Sequence, residues 1–108
     1  MADITQRGQL KRDDSGFPAA YEYKYITGTG AVIVKGSPAI LHTITFNKPV
    51  ATSVVTISDN ATGTSAVILS VTVPASPMPV TLTYDVALNN GLVANVVTAA
   101  SDLTISYV

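Results

Sequence analysis

The sequence predicts an all-β domain, an antiparallel β-sandwich of about eight strands, jelly-roll-like, carried behind an extended N-terminal arm. Three observations predict it. Apolar and polar residues alternate with period two in run after run, which puts one face of each run on a core. The runs are 5–9 residues long and are separated by Gly, Pro, Asn and Asp at short spacing, the pattern of sandwiches and small barrels. No segment carries the 3.6-residue period of a helix.

The strands follow in order. Tyr21, Tyr23 and Tyr25 alternate with Glu22 and Lys24, so the three rings share one face of a strand. Ala31–Lys35 is β-branched and is closed by Gly36-Ser37-Pro38. In Ala39–Asn47, the residues Ile40, His42, Ile44 and Phe46 fall on one face and Leu41, Thr43 and Thr45 on the other. Ser53–Ser58 sets Val55 and Ile57 together, and residues 59–63 form a loop. Val67–Val73 alternates most regularly, with Val67, Leu69, Val71 and Val73 inward. After a linker bounded by Pro74, Pro77 and Pro79, Val80–Leu88 turns Val80, Leu82, Tyr84 and Val86 inward. Asn89-Asn90-Gly91 reads as a hairpin turn. Leu92–Thr98 and Asp102–Val108 complete the set, the last with Leu103, Ile105 and Tyr107 inward.

Charge divides the chain. Of its 108 residues, Asp3, Arg7, Lys11, Arg12, Asp13, Asp14, Glu22 and Lys24 carry charge within the first 25. Only Lys35, Lys48, Asp59, Asp85 and Asp102 do so afterwards. The charged fraction is 12%, about half the usual ~25%. So little charge does little to keep neighbouring copies apart, which favours a protein that works inside an assembly. Residues 1–20 are broken by Gly8, Gly16 and Pro18 and form an arm, either a plain tail or a segment that orders on a partner. Residues 21–108 form the sandwich domain. Arg7, Lys11, Arg12, Tyr21, Tyr23 and Tyr25 are the expected partner-binding residues.

Several functions are disfavoured by composition. The net charge is −1 and the β region holds only Lys35 and Lys48 as cations, too few to neutralise a run of phosphates, so no nucleic acid is expected. There is no cysteine, which removes disulfides, thiolate metal sites and cysteine nucleophiles. The opening MADITQRGQL lacks the apolar core of a signal peptide, so synthesis in the cytoplasm is expected. No apolar run approaches the ~18 residues of a membrane helix.

Catalytic residues are scarce. His42 is the only histidine, and no G-x-S-x-G elbow accompanies it. A packed or interfacial role is expected for it, with a pH-sensitive subunit contact as the functional form. Asp59, Asp85 and Asp102 are dispersed, and no spacing pairs them for acid–base work or gathers a cation loop. Thr27-Gly28-Thr29-Gly30 lacks the phosphate-loop spacing and is a strand connector. Without tryptophan, a sugar platform would rest on Tyr21, Tyr23 and Tyr25; packing of these rings on a sheet edge or a neighbouring subunit is the plainer reading. No enzyme, cofactor, metal or small-molecule substrate is expected.

A wider pattern comes from Gly30-Ala31-Val32-Ile33-Val34-Lys35-Gly36, Ile40-Leu41-His42-Thr43-Ile44-Thr45-Phe46-Asn47 and Val54-Val55-Thr56-Ile57-Ser58-Asp59-Asn60. It continues through Val80-Thr81-Leu82-Thr83-Tyr84-Asp85-Val86, Gly91-Leu92-Val93 and Asp102-Leu103-Thr104-Ile105-Ser106-Tyr107. Over residues 28–108 this resembles small β-sandwich virion proteins of tailed bacteriophages, of the head decoration, cement or head-fibre kind. The resemblance implies a non-catalytic sandwich, often a homo-trimer, made in the host cytoplasm and seated on the capsid exterior against the major capsid protein. It implies no residue-by-residue site. The alternative is a receptor- or glycan-binding module of a fibre or appendage.

Overall fold

The computed structural model describes residues 21–108. Arg7, Lys11, Arg12 and the expected arm over residues 1–20 lie outside the described residues. Eight strands and no helix make up the described chain. They are β1 (Glu22–Ile26), β2 (Gly30–Lys35), β3 (Ala39–Lys48), β4 (Val54–Ser58), β5 (Val67–Thr72), β6 (Val80–Leu88), β7 (Leu92–Val97) and β8 (Asp102–Tyr107).

The pairings are nested. β1 pairs with β8, β2 with β7, β3 with β6 and β4 with β5, all antiparallel. The chain is therefore one long ribbon that turns back between β4 and β5. Rolled up, it adds the pairs β3–β8 and β4–β7. The result is two sheets, β1-β8-β3-β6 and β2-β7-β4-β5, the topology of a jelly roll. Between the sheets lie Leu41, Ile44, Phe46, Leu103 and Ile105 from the first and Val55, Ile57, Leu92, Ala94 and Val96 from the second, all fully buried. Burial of each large side chain contributes on the order of 2 kcal/mol.

Three expectations from the sequence need correction. Neither Ile40 nor His42 shares the inward face of Ile44 and Phe46, and Leu41, expected opposite them, does. Leu41 pairs with Tyr107, but Thr43 pairs with Ser106, so β3 carries one more residue than β8 there. Both His42 and Thr43 stay off the core, and inward alternation resumes at Ile44. A bulge of this kind costs no recognisable sequence signal. Beside it, β6 carries one more residue than β3, because Leu41 pairs with Val86 and Thr43 with Thr83. Asp85 sits at this second bulge with φ 51°, a left-handed conformation that Asp tolerates better than most residues.

The second correction concerns Asn89-Asn90-Gly91, which does not close a hairpin. It joins β6 of one sheet to β7 of the other. Its amides bond to Asp59 instead of to a strand partner: Asn89 N–H donates to Oδ2 at 3.2 Å and Asn90 N–H to Oδ1 at 2.8 Å. The third concerns Val67, Val80 and Val86, expected inward yet 53%, 46% and 36% exposed. Leu69 pairs with Ile57 but Val67 with Ser58, so β5 carries one extra residue there and Val67 is turned to the outer face. Val80 and Val86 keep their inward parity beside Phe46 and Leu41 but lie on β6, which with β5 forms one of the two edge pairs of the sandwich.

Candidate functional site

Two surfaces stand out, one on the outer face of a sheet and one where the sandwich opens; they meet at β6. The first is the outer face of the β1-β8-β3-β6 sheet. Strand register sets its residues in rows. Tyr25, Thr104, Thr45 and Thr81 form one row across the four strands, and Tyr23, Ser106, Thr43 and Thr83 the next. The paired bulges bring Tyr21, His42 and Asp85 together as a third. The first two rows begin with Tyr25 and Tyr23 on the edge strand β1, and the third with Tyr21 just before it.

Polar contacts hold the two outer rings. The Tyr21 ring stacks on His42 with centroids 4.0 Å apart and planes 7° from parallel. His42 Nδ1–H donates to Asp85 Oδ1 at 2.5 Å. At the far end, Tyr25 Oη–H donates to Asp102 Oδ2 at 2.6 Å. Asn47 Nδ2–H donates to Asp102 Oδ1 and to Thr104 Oγ1, each at 3.1 Å. Thr45 and Thr81 hydroxyls meet at 3.0 Å. Tyr23, between the anchored rings, is 72% exposed. A shallow groove of about 610 Å3 runs along Tyr21–Tyr25.

The Tyr25–Asp102 bond shifts both groups. The hydrogen bond from Tyr25 holds the Asp102 carboxyl below its usual range, helped by Asn47 and by the nearby Lys48 charge. The same bond, with some burial and the carboxylate charge, raises the Tyr25 phenol. Asp102 therefore stabilises the fold above the unfolded carboxylate pKa of about 3.9, and that contribution is lost as pH falls through its lower folded value. Tyr25 contributes fully below its unfolded pKa of about 10, and its share is lost as pH climbs through the raised folded value. Denaturation midpoints of the unmodified chain and Tyr25→Phe should differ near pH 7 and converge at both extremes. A difference independent of pH would contradict this.

The second surface is the open side. Residues 61–84 contain no charged side chain. They supply the edge strand β5, the proline-rich link after it and the first half of the edge strand β6. Natural sheets blunt bare edges with Lys, inward-pointing charge or bulges; here β6 has Asp85 at its bulge and β5 has the bulge at Val67, and neither edge carries a Lys. A groove of about 390 Å3 opens there between Phe46, Val71, Val73, Met78, Val80 and Leu82. Met78 at its mouth is 76% exposed.

Of the expected partner-binding residues, Tyr21, Tyr23 and Tyr25 come together on one exposed face, as their spacing predicts. Sequence reasoning missed that His42, Asp85, Asp102 and Asn47 join them. Tyr84 and Tyr107 pack against the core, as their parity predicts. Asp59 serves the Asn89–Gly91 corner, and Asp85 and Asp102 lie at opposite ends of the outer face. Among the described residues, no three His, Asp or Glu side chains converge to hold a metal ion. Comparison with family models, with curated proteins and with solved structures finds no match to this chain.

Proposed function

We propose that this chain is a structural virion protein, a decoration or cement protein that binds the outer shell of a tailed-phage head and stabilises it without catalysis. The observation that carries the reading is the open side: two unpaired strand edges and an apolar groove, with no charge over residues 61–84. An isolated monomer gains nothing from this surface and risks edge-to-edge aggregation. In a defined assembly the same surface is covered. Copies meet through it as a homo-trimer, and the remaining contacts go to the major capsid protein. Many modest contacts per shell then sum through avidity. The resemblance of residues 28–108 to small phage head proteins supports the same reading.

Light scattering behind size exclusion, on the full chain, is the first test, with a stable trimer expected. Co-sedimentation with purified phage heads lacking the protein is the second. The full chain should saturate the heads, and a chain starting at Ala20 should keep its circular dichroism while losing occupancy. A monomer that leaves heads unoccupied at any concentration would sink the proposal.

A further inference from the structure

We infer that the outer face of the β1-β8-β3-β6 sheet is a binding site for a neutral oligosaccharide, seated on Tyr21, Tyr23 and Tyr25. This goes beyond the assembly role and is centred on the β1 edge of the sheet, reaching β6 only through the outer face and not through the apolar groove. Three observations lead to it.

The first is preorganisation. Exposed tyrosines contribute little to the core, yet two of these are fixed, Tyr21 by the His42 stack and Tyr25 by Asp102. His42 is itself fixed by Asp85 at the coincident bulges. Rings already held in place bind a ligand without a further ordering cost. Tyr23 stands free between them.

The second is chemistry. Beside the aromatic stripe the face offers hydroxyls from Thr43, Thr83 and Ser106 and the half-exposed carboxylate of Asp85. Sugars present apolar C–H faces to aromatic rings and hydroxyl donors to such acceptors. The rows hold the carboxylate of Asp85; Asp102, bonded to Tyr25, lies beside Lys48, and Glu22 and Lys24 line the same groove. Three carboxylates stand against two ammonium groups, so no surplus of positive charge draws an acidic ligand, and a neutral, donor-rich one is favoured.

The third is size. Four residue steps along β1 and three strand spacings across the sheet span roughly 14 Å by 14 Å, on the order of 200 Å2. A stable protein interface needs about 800 Å2 per partner. The built patch matches a few sugar rings, not a protein surface.

Affinity electrophoresis of the full chain through gels containing neutral polysaccharides (a β-glucan, an α-glucan, a mannan and a galactan) tests the inference, with alginate as the acidic comparison. At least one neutral polymer should retard the chain and alginate should not. Tyr23→Ala should weaken binding about tenfold or more, as loss of a central aromatic contact does, and its 72% exposure predicts an unchanged thermal midpoint. Tyr23→Phe should retain most of the binding. A charged substitution on the open side, Val80→Asp, should keep retardation by the same neutral polymer, reduced only by the multivalency that separated copies lose, so failure of the assembly proposal and failure of this one read differently. No retardation by any neutral polymer, retardation by alginate alone, or equal retardation of Tyr23→Ala would each overturn it. So would a Tyr23→Ala chain that changes oligomeric state instead of sugar binding.

Discussion

Under the proposed assembly, Val80→Asp is expected to yield a folded chain whose self-association is sharply weakened. Val80 pairs with Phe46 across β3 and β6 and points into the groove of the open side. It is 46% exposed, so a carboxylate there stays hydrated in the single chain and the sandwich survives. When copies cover the groove, the same carboxylate is buried without a partner. An uncompensated buried charge costs about 3–5 kcal/mol, which weakens association by roughly two to nearly four orders of magnitude. Light scattering at matched concentrations reads the loss, and Val80→Thr, neutral and close in shape, should fall between. Equal association of Val80→Asp and the unmodified chain would remove the open side from the assembly.

Gly91→Ala destabilises the fold by about 3 kcal/mol, at the upper end of ordinary overpacking. A Cβ at this position would stand 2.6 Å from the Asn60 carbonyl oxygen, 2.8 Å from that of Lys35 and 2.9 Å from Ala61 Cα. All three are backbone atoms, so no side chain can swing aside. The corner cannot shift easily either, because Asp59 holds the amides of Asn89 and Asn90. Urea denaturation should show a lower midpoint with an unchanged slope. A midpoint within error of the unmodified chain would show that the corner yields.

The sandwich was legible because alternation is a local signal and nearly every strand obeys it. Val55, Ile57, Leu103 and Ile105 are buried where parity puts them. The tyrosine stripe was legible for the same reason. What alternation cannot express is a change of count between neighbours. His42 carries no mark of a bulge, and its outward turn exists only relative to β8 and β6. The Tyr21–His42–Asp85 cluster was therefore hidden, although all three residues were in view. Asn89-Asn90-Gly91 failed differently. Its residues specify a tight turn, but whether the chain returns along its own sheet or crosses to the other depends on Asp59, thirty residues earlier. The exposure of Val80 and Val86 follows from β6 being an edge, and that of Val67 from a bulge in β5; neither fact is contained in a single run.

The nested pairing has a consequence in time. Only β4 and β5 find each other across a short connection; β3 must wait for β6, β2 for β7 and β1 for β8. A chain emerging from the ribosome therefore holds β3 unpaired until β6, β2 until β7 and β1 until β8, which fills the gap between β1 and β3. Contacts this distant in sequence close slowly. Throughout that interval the uncharged run 61–84 is also exposed, beside other nascent copies carrying the same run. The surface that would join finished subunits is the one most able to join unfinished ones, so the yield of native protein should fall with the rate at which it is made.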